Sequence, residues 1–113
     1  MKYLMLVCMT AGTQLSEAEA AQLEKDGIAW AQQADARGVR LQGSQLRPAR
    51  DATTVRSGEG GVLVADGPFA ETKEQVVGFD ILECADLDEA IEAAGQHPLA
   101  RYGALELRPF WED

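Results

Sequence analysis

The stretch "DGPFAETKE", Asp66 to Glu74, gathers a turn, an aromatic ring, three carboxylates and a lysine into nine residues. In Asp66-Gly67-Pro68 the proline fixes φ, the glycine permits a backbone path that other residues resist, and the aspartate can accept nearby amides, so the tripeptide reads as a strand end and turn. An aspartate that caps its own turn needs no substrate. Held instead at a sheet edge beside a cleft, with Gly67 letting a ligand approach, Asp66 is a candidate general acid or base whose pKa partial burial would raise. The limb that follows also has two readings. Lys73 can bind an anionic substrate group while Thr72 donates a hydrogen bond, or the limb is a solvated turn with a local ion pair.

The second candidate is His97, the only histidine, in "GQHPLARYG". Pro98 prevents a helix from continuing through it, so His97 either caps the carboxyl end of the preceding helix or assists Asp66 in catalysis. Arg101 is a candidate for holding a ligand's charge. A lone histidine builds no metal site, no serine or cysteine stands beside it for a triad, and nothing beyond it offers an iron ligand for a haem or oxygen-handling enzyme. No metal and no cofactor are expected. Cys8 and Cys84 lie far apart without a C-x-x-C spacing and read as small buried hydrophobes.

Several elements must position these residues. "KYLMLVCM", residues 2–9, is apolar on both alternating sets and reads as a strand covered on both faces rather than a secretion leader. "SEAE" opens a helix, with Ser16 capping the first amides and Glu19 reaching back, and Gly38 stops it. "VRLQGSQLRP" is a strand in which Gly43 marks a bulge or a close approach. Thr53, Thr54 and Val55 face Val62, Leu63 and Val64 across the glycine-rich turn Gly58 to Gly61, a hairpin rather than a phosphate loop. "VVGFDILEC" is a further strand, "DLDEAIEAAG" a second helix capped by Asp86, and "GALELRPF" the last strand. Asp80 and Glu106 occupy strand positions, so each must face solvent, an interfacial cleft or a partner charge.

Strand, helix, strand, inserted hairpin, strand, helix, strand is a ferredoxin-like α+β plan: one domain over residues 1–113, with two helices on one face of an antiparallel sheet. Two helices cover one face only, yet the first strand is apolar on both. The expected cover is the same face of a second subunit, a homodimer whose sheets pack together.

A formal charge of −9 repels phosphate backbones and anionic membrane surfaces, so nucleic acid is not an expected partner. With no apolar run near ~18 residues, no transmembrane helix is expected and the cytoplasm is the default compartment.

With these residues in view, the chain resembles the YCII-related superfamily, in the subgroup known for its D-G-P-F motif. The resemblance rests on "DGPFAETKEQVVGFDILE", with "MKYLMLV", "ATTVR", "DLDEAIEAA" and "ALELRP" in support. It implies a dimeric α+β barrel. The subgroup is associated with bacterial sigma-factor-linked genes and has no settled activity, and the wider superfamily is suspected of using a histidine and an aspartate in a cleft. The first helix here lacks the histidine that the wider superfamily tends to place there. The aspartate matching the motif is Asp66.

The expected function is binding of a small polar metabolite in a cleft of a homodimer, with cofactor-free proton transfer by Asp66 assisted by His97. Gly67, Thr72, Lys73 and Arg101 would line the ligand. The alternative is a non-catalytic regulatory or protein-interaction module linked to sigma-factor systems.

Overall fold

A strand apolar on both sides belongs in the middle of a sheet, and that is where the computed structural model, which describes residues 1–112, has β1 (Lys2–Thr10). It pairs antiparallel with β5 (Glu74–Glu83) on one side and with β6 (Gly103–Pro109) on the other. β2 (Arg40–Gln45) pairs antiparallel with β5, giving the order β2-β5-β1-β6. With α1 (Glu17–Ala36) between β1 and β2 and α2 (Leu87–Gly95) between β5 and β6, the protein is an α+β fold of ferredoxin-like arrangement.

The helices begin where their side chains satisfy the first free amides. Ser16 Oγ accepts from the Glu19 N–H at 3.1 Å and Glu19 Oε1 accepts from the Ser16 N–H at 3.0 Å, a closed capping box. At α2, Asp86 Oδ1 accepts from the Glu89 N–H at 2.9 Å. Gly38, at φ 71, turns the chain out of α1.

One face of the sheet carries the core. Tyr3, Met5, Val7 and Leu82 pack against Trp30 and Ala34 of α1 and against Ala90, Ala93 and Ala94 of α2. The small alanines let α2 approach closely, and the Trp30 indole N–H donates to the Ala93 carbonyl at 2.8 Å, tying the helices together. Asp80 lies on this same buried face, opposite Gly43 of β2, and accepts a 2.7 Å hydrogen bond from Arg40 Nε. Arg40 Nη1 also meets Asp35 at 3.1 Å, joining the edge strand to the end of α1. A Cβ on Gly43 would stand 2.0 Å from Asp80 Oδ1, so the glycine is the space the carboxylate occupies. This is the close approach expected at Gly43, beside a register shift in β2.

On the opposite face Leu4, Leu6 and Cys8 lie in register with Ile81, Phe79 and Val76, and no described helix lies over them. Glu106 and Arg108 border this face, 3.3 Å apart. Both cysteines are free thiols, and burial pushes both upward in pKa.

Between β2 and β5 the chain makes a separate two-stranded arm of β3 (Thr53–Gly58) and β4 (Gly61–Asp66). Register puts Val55 opposite Val64 and Ser57 opposite Val62, so Val55, Val62 and Val64 share a face, with Asp66 and Thr53 at its foot. These valines are 62%, 69% and 65% exposed, and every residue of β4 is exposed. The arm projects. The molecule measures 49 × 45 × 19 Å with a radius of gyration of 15.9 Å, against about 13 Å for a compact domain of this length. No helix among the described residues is long and apolar enough to cross a membrane.

Candidate functional site

After α2 the chain turns at Gln96 and enters a 3₁₀ turn, Pro98–Arg101. His97 caps the start of that turn rather than the carboxyl end of α2: its Nδ1 accepts from the Leu99 N–H at 3.1 Å. A ring nitrogen that accepts carries no proton, so the neutral imidazole bears its proton on Nε2. The ring is 8% exposed and lies against Trp30, with centroids 4.8 Å apart and planes tilted by 59°.

The Nε2–H has no partner in the protein among the described residues, yet no described buried side-chain nitrogen or oxygen is sealed without one. It therefore opens onto solvent, through a cleft of about 410 Å³ between α1 and the turn after α2. Asp26, Trp30 and Gln33 of α1 line one side of the cleft, and His97, Pro98 and Arg101 the other.

Burial pushes the His97 pKa down to about 4. The imidazole is thus neutral at physiological pH, with its Nδ1 lone pair held by an amide and its Nε2 protonated. In that state it donates a hydrogen bond and has no free lone pair with which to take a proton. A histidine whose folded pKa lies below its unfolded value of about 6.5 stabilises the fold fully above that value. That stability is lost as pH falls toward about 4. Wild-type protein is accordingly expected to lose up to ~3 kcal/mol over this window, on top of any carboxylate effects, and His97→Gln to lose much less. Urea midpoints measured against pH check this; parallel profiles for the two proteins would refute it.

Arg101 and Asp26 face each other across the cleft mouth, with Arg101 Nη2 3.1 Å from Asp26 Oδ2. Gln22 Nε2 donates to the other Asp26 oxygen at 2.8 Å, and the Gln22 and Arg101 hydrogen bonds together hold the carboxyl below its usual range. Arg101 Nε donates weakly to the Pro98 carbonyl at 3.5 Å. Three of the five guanidinium N–H groups have no protein acceptor among the described residues.

The "DGPFAETKE" segment lies elsewhere. Asp66 ends β4 opposite Thr53 on the arm, exposed, and its carboxylate accepts no hydrogen bond among the described residues. The turn is held without it. Gly67, at φ 93, donates its N–H to the Ala52 carbonyl at 2.7 Å and accepts from Thr54 Oγ1 at 2.7 Å. Phe69 is 76% exposed, so it belongs to no core of this chain. Thr72 Oγ1 donates to the Glu74 carbonyl, and Lys73 is exposed, anchored by its own carbonyl to the Ala11 N–H at 2.7 Å.

Of the candidate residues, His97 and Arg101 come together in one cleft, whereas Asp66, Gly67, Thr72 and Lys73 are not among its lining residues. Asp26 and Gln33 were not singled out from the sequence. The available signal is helical spacing: Asp26, Trp30 and Gln33 stand at i, i+4 and i+7, placing two polar groups beside the one large aromatic of α1. Among the described residues no three His, Cys, Asp or Glu side chains gather as a metal ion would need.

The sequence profile of the YCII-related domain matches residues 1–112. An uncharacterised protein of Rhizobium meliloti (strain 1021) is 46% identical over 68 residues, which is 58% of this chain and 55% of that protein. The match therefore spans about half the length of that relative.

Proposed function

The chain belongs to the YCII-related domain family, and from that premise we propose that it is a cytoplasmic homodimer of the D-G-P-F subgroup that binds a small polar metabolite in the cleft beside His97. The observation that carries this reading is the His97 Nε2–H. It is a polar group on a side chain more than nine-tenths buried, has no partner among the described residues, and opens into a cleft that also holds Arg101. Leaving such a donor unpaired is costly unless water or a ligand receives it. A neutral imidazole in this setting polarises a carbonyl or steadies a developing oxyanion without a cofactor.

The dimer is supported by two uncovered apolar surfaces on one chain: the sheet face of Leu4, Leu6, Phe79 and Ile81, and the valine face of the arm. Asp66 shares the arm's valine face, so a subunit covering that face would also meet Asp66. In the catalytic form of this reading Asp66 is the acid or base, Gly67 keeps its approach open, and Thr72 and Lys73 flank it. Unchanged turnover in Asp66→Asn would remove that form and leave binding intact.

Light scattering is expected to give twice the 12.2 kDa chain mass at micromolar concentration, and a clean monomer would refute the dimer. A metabolite screen by thermal shift is expected to find ligands whose effect disappears in His97→Phe. Ligands that still stabilise a folded His97→Phe protein would place binding elsewhere.

The arm favours a second reading, a non-catalytic regulatory or protein-interaction module, with the exposed valines as its contact. A stoichiometric protein partner that binds wild type but not Val62→Lys, and is indifferent to His97→Phe, would establish it.

A further inference from the structure

Resting on the reading of the His97 cleft as a ligand site, the geometry points to a small organic monocarboxylate as the ligand class, its carboxylate shared between the His97 Nε2–H and the unpaired N–H groups of Arg101. The cleft is rich in donors. His97 offers one N–H, Arg101 three, and Gln33 and Gln96 carry side-chain amides in the same lining. Among the described residues the one carboxylate in its lining, Asp26, is already engaged on both oxygens, Oδ1 by Gln22 and Oδ2 by Arg101. A planar guanidinium fork beside a second fixed donor matches the two oxygens of a carboxylate.

Charge restricts the class further. With His97 neutral and Arg101 balanced by Asp26, the cleft has no net charge of its own, and the chain around it carries −9. A dianion such as a phosphate monoester would meet both Asp26 and that field with no surplus cation to offset them. A cation would find Asp26 already occupied and the donors of His97 and Arg101 in the same lining. A monoanion gains charge-assisted hydrogen bonds at the least electrostatic cost.

The rest of the lining suits an apolar body on that carboxylate: Trp30, Ala29, Pro98 and Ala100 line the same space. At about 410 Å³ the cleft lies within the range of small-molecule sites.

The test uses benzoate and its neutral counterpart benzamide as probes at neutral pH. The reporter is the ring resonances of the single histidine, which need no assignment by mutation. Benzoate is expected to shift them saturably and to bind at least about tenfold more tightly than benzamide. Arg101→Gln is expected to weaken benzoate by about tenfold and benzamide by clearly less, with the thermal midpoint unchanged.

Equal or tighter binding of benzamide would overturn the carboxylate class while leaving the cleft as a ligand site. If neither probe moves the histidine resonances at millimolar concentration, the carboxylate class also falls. The thermal-shift screen then decides the parent reading: a neutral ligand dependent on His97 preserves it, and none ends it.

Discussion

Gly103→Ala is expected to unfold the protein at urea concentrations where the wild type is native. A Cβ on Gly103 would stand 2.1 Å from the Cys8 carbonyl oxygen and 2.8 Å from both the Cys8 carbonyl carbon and the Met9 Cα. All three atoms are backbone of β1, the strand with neighbours on both sides, so no side chain can rotate away. Relief requires β6 to separate from β1 at the register pair Met9–Gly103, or β1 to shift against β5. The first breaks the edge of the ladder beside the turn that carries His97. The second moves Tyr3, Met5 and Val7 against the helices. Overpacking that can move side chains costs 1–3 kcal/mol, and here the obstacle is backbone, so a loss above about 3 kcal/mol is expected. A urea midpoint within experimental error of wild type would show that the strands part more easily than their packing implies.

The second large effect is a destabilisation that depends on pH. Burial raises the Asp80 carboxyl above its usual range, and the Arg40 hydrogen bond pulls it only part of the way back. Arg40→Ala removes that counterweight and leaves an ionised carboxylate on the buried face beneath α1. Breaking one side of a buried pair costs about 3–5 kcal/mol, and the lower end applies because Arg40 keeps some exposure.

The sign of the pH dependence follows from the raised pKa. A carboxyl whose folded pKa lies above its unfolded value of about 4 favours the fold when protonated, and that advantage is lost as pH rises through the folded value. The gap between wild type and Arg40→Ala should therefore be widest at neutral pH and close on acidification. Because His97 destabilises both proteins equally in acid, the gap is the quantity to measure. Adding Asp80→Asn to Arg40→Ala should recover most of the loss at neutral pH. A gap that does not change with pH, or a double variant no better than the single, would show that Arg40 acts through packing alone.

The features legible in the sequence were those decided within a few residues. Ser16 with Glu19, and Asp86 with Glu89, announce their helices because capping is a local geometry. β1 announces its central place because both its alternating sets are apolar. β5 is less legible: Phe79 and Ile81 are the bulkier apolar set, yet Gly78, Asp80 and Leu82 face the helices. Pairing with Tyr3, Met5 and Val7 decides that choice, and the charge of Asp80 is tolerated inside only because Arg40 reaches it from β2.

The site was harder to read for a similar reason. His97 and Arg101 are four residues apart and line the cleft from one turn, but Asp26 comes to Arg101 from 75 residues away. Whether Asp66 caps its own turn was open in the sequence, and the answer lay in Thr54, thirteen residues before Gly67, whose hydroxyl donates to the Gly67 carbonyl instead.

The arm leaves the sheet after Gln45 and returns at Glu74, and Leu46 N–H donates to the Val77 carbonyl at 2.9 Å, so the main ladder is closed beneath it. To the four-stranded sheet, everything between is a long hairpin loop. Such a segment can lengthen, shorten or change its surface under mutation without disturbing a register pair of the body or a residue of the cleft. On the proposed reading, partner choice on the arm and ligand choice in the cleft would sit on separately variable parts of the chain, free to diverge at different rates.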